Sequence, residues 1–290
     1  MNILVALPHY FNEVNQSNYG SGRKGQGQAR SLALIQCLSS LLALQKEGED
    51  LILNIAKRGI ERTPKSNTET RIHIHLFTDG EHVLRPVLTM FERSITVHQM
   101  DMENSRHIPL KARDYIINKG HAYDLCLYME DDLIIRDLEF LEKQHWLIYR
   151  SEHKAVLMPH RTEWVPEKKG QRLIVDGPLR DGFIHRFCEP KLGVARGTYK
   201  GQQEIVFDQS NNPHSGLFCI SGQQAAELAK LTQPKDGFIG PLETAATLTV
   251  LQKYVVLKPS WQDRYFLWVE HGHPSFQGYS KSWPMVGDPV

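Results

Sequence analysis

Three consecutive carboxylates, Glu130, Asp131 and Asp132, interrupt an apolar run that spans Leu125 to Met129 and resumes at Leu133. Adjacent like charges repel, and burying any of them without a partner is expensive. A divalent cation removes both costs. Oxygen ligands suit magnesium or manganese, which keep waters and take further ligands from substrate phosphates. The ordinary explanation of an acidic triplet is a solvated turn whose acids cap the next helix, here with Asp132 or Asp137 near its start. The apolar run favours the metal, because it reads as a central parallel strand whose carboxyl end is a ligand-binding edge. The chemistry indicated is the holding of a metal-bound diphosphate.

The elements that would position the triplet alternate in kind. Strand candidates are Ile3–Leu7, Ile72–Phe77, Ile95–Gln99, Leu125–Met129 and Ala155–Met158, and helix candidates are Ala29–Glu47, Pro86–Phe91, Pro109–Lys119 and Leu138–Arg150. Such alternation predicts βαβ units in an α/β fold, with a mostly parallel Rossmann-type sheet flanked by helices. The pattern loosens over Arg161–Asn212, where long loops or a small antiparallel insertion are expected. Order returns with a strand at "GLFCIS", then a helix whose start is marked by the capping-box spacing of Ser221 and Gln224. A further helix follows Pro241, a residue suited to a first turn.

Bulk properties exclude several classes. Lys and Arg total 34 against 33 Asp and Glu, a formal charge of +1, so no global field recruits nucleic acid. The four cysteines, Cys37, Cys126, Cys188 and Cys219, form no C-x-x-C pair; three of them sit in apolar runs, where buried free thiols are expected, and a reducing compartment fits. The most apolar helical stretch, Ser31–Leu44, is too short to span a bilayer and carries Gln36, Ser39 and Ser40. A cytoplasmic protein with no transmembrane segment is the expectation, peripheral membrane contact remaining open.

The stretch "LYMEDDLIIRDLEFLE" resembles the Glu-Asp-Asp form of the carboxylate motif of GT-A glycosyltransferases, in particular the N-acetylglucosaminyltransferase I type. The resemblance implies one GT-A-like domain over 1–290, with a nucleotide-sugar-binding half (1–159) and an acceptor-binding, catalytic half (160–290). It implies a nucleotide-diphosphate sugar donor, a glycan or other hydroxyl acceptor, and Mn2+ or Mg2+. By the same carry-over Asp132 binds the metal, Asp131 faces the donor ribose or sugar, and Glu130 supports the ribose side. Pro8, His9 and Tyr10, after the first strand, are candidates for cradling base and ribose. Asp79, in "FTDG", takes the place of a base-contacting acid, although that sequence is equally an ordinary turn. Arg106, Lys111 and Arg113 are candidates for base or diphosphate, against the plain alternative of an exposed helix face.

An inverting transferase needs a carboxylate to take the acceptor proton. Glu243, in "FIGPLETAA", stands where the resemblance places that base, with Asp236 and Asp208 as rivals; its ordinary explanation is the preference of acids for a helix start. Inversion rests on Glu243 alone. "VEHGHPSF" offers His271 and His273 to complete the metal shell, and His273 is preferred. His214 and Ser215 are weaker candidates for the sugar and acceptor pocket. "GSGRKG", Gly20 to Gly25, matches a dinucleotide fingerprint but does not directly follow the first strand, so it reads as a glycine-rich surface loop or a lid. Two rivals stay open. A nucleotidyltransferase would use the same adjacent carboxylates, and a non-catalytic carbohydrate-binding protein would use Trp261, Tyr265, Trp268 and Trp283 as a stacking surface.

Overall fold

In the computed structural model, which describes residues 1–13, 25–166 and 170–287, the apolar runs of the first half gather into one sheet. The first elements are β1 (Asn2–Pro8), α1 (Gly27–Leu42), β2 (Leu51–Asn54), β3 (Gly59–Arg62), β4 (Arg71–Thr78) and α2 (Arg85–Met90). They continue with β5 (Ile95–Gln99), α3 (Ile108–Lys119) and β6 (Leu125–Met129). β1 is central, parallel to β4 on one side and β6 on the other, with β5 parallel beyond β4. Alternate residues divide the strand faces, as the period of two requires. Ile3, Val5, Leu7, Leu125, Leu127 and Met129 pack with Leu34, Leu38 and Leu41 of α1. Leu4, Ala6, Cys126 and Tyr128 pack with Ile108, Ala112 and Ile116 of α3. Burial on both faces explains why these strands read as unbroken apolar runs.

The chain adds β4 and β5 on one side of β1 and then returns to place β6 on the other. That reversal opens a crevice between the carboxyl ends of β1 and β6, the place where open α/β sheets bind ligands. His9 leaves one lip and Glu130–Asp132 the other.

The remaining elements are β7 (Leu133–Ile134), α4 (Phe140–Arg150), β8 (Ala155–Leu157), β9 (His160–Trp164), β10 (Arg172–Ile174) and α5 (Asp181–Ile184). Then come β11 (Lys191–Thr198), β12 (Glu204–Gln209), β13 (Leu217–Ser221), α6 (Gly222–Leu228), α7 (Pro241–Leu251), β14 (Val255–Pro259), β15 (Trp268–His271) and α8 (Tyr279–Ser282). β13 joins the first sheet as an antiparallel edge beside β6, so the second half of the chain completes the sheet that the first half begins. The middle segment is neither all loop nor one insertion. β9 and β10 pair antiparallel in a sheet ordered β10-β9-β15-β7, and β11 and β12 in one ordered β11-β12-β14-β8.

Three expectations need correction. The strand at Ala155 does not extend the parallel sheet, because β8 pairs with β14 in the other sheet. The first helix stops at Leu42 rather than Glu47, since Lys46 exchanges backbone hydrogen bonds with Thr70. The β2–β3 hairpin was not anticipated; Leu51, Leu53, Ile55 and Ile60 are all exposed, so no buried stripe announces it. The capping box at Ser221 is present in full, with both the side-chain and backbone bonds to Gln224. Among the described residues no helix is long and apolar enough to cross a membrane.

Candidate active site

Strand geometry delivers the three carboxylates to the crevice, and all three are buried. Each finds a different partner. Asp131 Oδ2 lies 2.5 Å from His9 Nδ1, so the lips of the crevice are joined across β1 and β6. His9 Nε2 accepts the Leu84 N–H at 3.1 Å, which leaves Nδ1 as the protonated nitrogen that donates to Asp131. Arg30, from the first turns of α1, donates Nη2 to Asp131 Oδ1 and Nη1 to Asp132 Oδ2, both at 2.8 Å. Asp132 Oδ2 also lies 3.5 Å from His271 Nε2, and His271 Nδ1 is 2.6 Å from Glu163 Oε1. Burial opposes ionisation of Asp131 and Asp132. It is outweighed by Arg30 and His9 at Asp131, and by His271 and Arg30 at Asp132, so both carboxyls sit below their ordinary range.

Glu130 belongs to a second ionic group. Arg161 reaches Glu130 Oε2 at 3.2 Å and Asp176 Oδ1 at 2.9 Å, with all three side chains buried. His214 Nε2 stands 3.8 Å from Glu130 Oε1, and its Nδ1 meets Thr247 Oγ1 at 2.8 Å. Gly216 makes room for this carboxylate. Its backbone accepts the Glu130 N–H at 2.9 Å, its φ is 67°, and a Cβ there would stand 2.9 Å from Glu130 Oε2.

Glu243 lies in the first turn of α7, with Oε2 buried and without a hydrogen-bond partner. Its charge adds to that of Asp132 in raising the proton affinity of Glu130, which places it within electrostatic reach of the triplet. Of its rivals, Asp208 accepts the Gly193 N–H at 2.7 Å inside the β11–β12 hairpin, and Asp236 is exposed in a turn. Ser215 is buried and spends its hydroxyl on the Pro159 carbonyl at 2.6 Å.

The nucleotide-side candidates separate. Pro8 ends β1 beside Phe77 of β4. Tyr10 is 42% exposed and leans on His82, ring centroids 5.0 Å apart. Asp79 accepts from His82 Nδ1 at 2.8 Å and Ser105 Oγ at 2.7 Å, and takes the backbone N–H groups of Glu81 and His82. Burial works against the Asp79 carboxylate, yet these donors lower it to about 2. Tyr10, Asp79 and the turn carrying Arg106 thus form one patch at the end of β4, with Arg106 exposed. Lys111 is exposed on α3. Arg113 is buried and gives its guanidinium to Asp114 and the Pro234 carbonyl, tying α3 to the segment before α7.

The imidazole at Asp132 is His271 and not the preferred His273. His271 ends β15 opposite Leu133, whereas Gly272 turns the chain by donating to the Asp132 carbonyl at 2.7 Å. His273 therefore meets Gln26 Oε1 at 3.1 Å, at the start of α1. The Gly20–Gly25 loop falls almost wholly outside the described residues.

Arg30, Arg161, Glu163 and Asp176 were not anticipated. Arg30 had a readable signal, because it shares a helical stripe with Ala33, Leu34, Cys37, Leu38 and Leu41, all buried. A charge on that stripe needs a buried partner. Arg161 and Glu163, two apart on β9, share one face and reach the two ionic groups.

These shifts set the pH response of the ligand-free protein. Burial raises Glu130 to about 8 despite Arg161, and Asp132 adds to the rise. Burial disfavours the His271 imidazolium, but Asp132 and Glu163 push it up to about 9. Both groups keep a proton in the folded state that the unfolded chain has released, so each loses stability as pH rises. For Glu130 the window runs from 4.5 to about 8, and for His271 from 6.5 to about 9. The thermal midpoint of the metal-free protein is expected to fall steadily from pH 6.5 to 9. A flat midpoint over that range would contradict both assignments.

No protein-family model and no curated protein matches the chain. Among solved structures it is similar to S. aureus TarS residues 1–349, at 13% identity and TM-score 0.47, covering 97% of this chain and 63% of that one. S. aureus TarS matches at 14% identity and TM-score 0.42, with 86% and 33% covered. TarS 1–349 in complex with UDP matches at 16% and TM-score 0.34, with 59% and 38% covered. The chain thus spans less than two thirds of the length of each of these three structures.

Proposed function

We infer that the chain is a glycosyltransferase of GT-A type that moves a sugar from a nucleotide-diphosphate donor to a hydroxyl acceptor with inversion. One observation carries the reading: a helix start, an arginine and two ionised carboxylates converge at the switch point between β1 and β6. α1 begins without a side-chain cap and without an acid in its first turn, a start suited to an anion. Arg30 from that turn and Asp131–Asp132 from β6 meet there. A diphosphate finds positive dipole and guanidinium, and the carboxylates can hold its cation.

Asp132 and His271 would hold manganese or magnesium together with donor phosphates, since among the described residues no group of three protein ligands is gathered. Asp132 offers an oxygen, and His271 turns Nε2 toward it while Glu163 holds Nδ1, the support expected of a metal-ligating imidazole. With two protein ligands, the rest come from water and donor phosphates. When bound, the ion supplies charge to the departing diphosphate. His271 gives up its proton to serve as ligand, so binding weakens as pH falls. Asp131, fixed by His9 and Arg30, faces the donor ribose or sugar, and the Tyr10–Asp79 patch receives the base. Glu243 takes the acceptor proton, its Oε2 buried, within electrostatic reach of Glu130 and without a hydrogen-bond partner.

A thermal-shift panel of nucleoside diphosphates and nucleotide-sugars, with and without Mn2+, tests the reading. One nucleotide class should raise the midpoint in a metal-dependent way, by mass action on the folded state. The released product should be nucleoside diphosphate rather than the pyrophosphate of a nucleotidyltransferase. Glu243→Gln should keep the nucleotide shift and lose transfer. No response across the panel would end the proposal.

A further inference from the structure

Arg30 occupies the triplet in an unusual way for a site that takes a cation. Its fork spans both carboxylates at 2.8 Å, and its Nη1 bonds the same Asp132 oxygen that faces His271. The arginine is 5% exposed, and its proton is held more firmly still by Asp131 and Asp132, so it stays charged at any working pH. Asp131 has no oxygen to spare, since Oδ1 goes to Arg30 and Oδ2 to His9. Glu130 is turned away to Arg161. A second cation at Asp132 would compete with the guanidinium for one carboxylate and stand beside a like charge, a costly arrangement where water is scarce.

A diphosphate changes that balance. Its oxygens match the guanidinium fork as well as carboxylates do and carry more charge. The helix start that bears Arg30 already favours an anion. We propose that Arg30 is a displaceable counter-cation: it guards Asp132 against free divalent ions and releases it when a nucleoside diphosphate takes the guanidinium. Metal and donor then enter as a pair, and without nucleotide the site binds metal only weakly. This rests on the donor reading above and adds the order in which the site is filled.

The test measures free Mn2+ by electron paramagnetic resonance in titrations of the wild type, Arg30→Met and Arg30→Gln, without nucleotide. A nucleoside diphosphate chelates Mn2+ by itself, so the nucleotide-free affinity discriminates. Both variants should bind Mn2+ about tenfold or more tightly than the wild type, the size of an ordinary coupling between sites. In a parallel metal-free titration with UDP, GDP, ADP and CDP, whichever binds the wild type should bind both variants about tenfold more weakly. Equal Mn2+ affinity in all three proteins, or weaker binding in the variants, overturns the proposal and leaves the transferase reading intact. Absence of Mn2+ binding in every protein, even with nucleotide present, removes the metal assignment and this inference together. Two variants guard against a single folding failure, and unchanged circular dichroism is required of each.

Discussion

Asp132→Asn should lower turnover by about a thousandfold or more while the circular dichroism spectrum stays that of the wild type. The substitution keeps the shape of the side chain and an oxygen that can accept from Arg30 or His271, so the crevice keeps its walls. What it removes is a full negative charge at the proposed metal position, where Asp132 and His271 face each other 3.5 Å apart. On the proposed reading a divalent ion would lose its anionic protein ligand, and the departing diphosphate the charge that ion would supply. The same change frees Arg30 from half of its fork. Activity loss should therefore come with a lost Mn2+ response in the thermal shift, a pairing that simple misfolding would not produce. Wild-type turnover with a wild-type Mn2+ response in the variant would place the reaction elsewhere.

How much of this was legible in the sequence follows from where each feature gets its information. β1 and β6 are local facts: a parallel strand buried on both faces is an apolar run, and the run ends where the sheet edge begins. The triplet could therefore be placed from one stretch of chain. The imidazole could not. His271 and His273 stand at alternate positions and would share a face in an extended strand, but β15 ends at His271 because Gly272 hydrogen-bonds back to Asp132. That turn is set by a residue 140 positions away (272 − 132). The antiparallel middle was opaque for the same reason, since β9 takes its register from β15 and β12 from β14. Arg30 is the instructive case. Its place on an apolar helical stripe is visible in the sequence, and a charge buried there has to be paired. Only the fold says that its partners are the triplet itself, so the sequence suggested a bound cation where the chain already supplies one.

Arg161→Ala should destabilise the protein by about 3–5 kcal/mol, because it takes the guanidinium from a buried ionic group and leaves the Asp176 carboxylate without it. Glu130 and Asp176 share this guanidinium, and neither is solvent-facing: their side chains are 9% and 3% exposed. The other basic group near Asp176 is Lys258, which donates to the His214 carbonyl at 2.5 Å. In a domain of this size the loss should lower the thermal midpoint by roughly 6–20 °C. The shortfall should grow as the pH is raised above 8, where wild-type Glu130 ionises beside Arg161 while the variant's Glu130, lacking that cation, must keep its proton. That pH trend separates an uncompensated charge from a packing defect, which would cost the same at every pH. Arg196→Ala is the control, because its pair with Glu204 is more than half exposed on both sides and should leave the midpoint unchanged. A deficit in Arg161→Ala that is the same at pH 7 and pH 9.5 would show that Arg161 stabilises the fold through contacts and not through charge, and Glu130 would lose its place in the site's electrostatics.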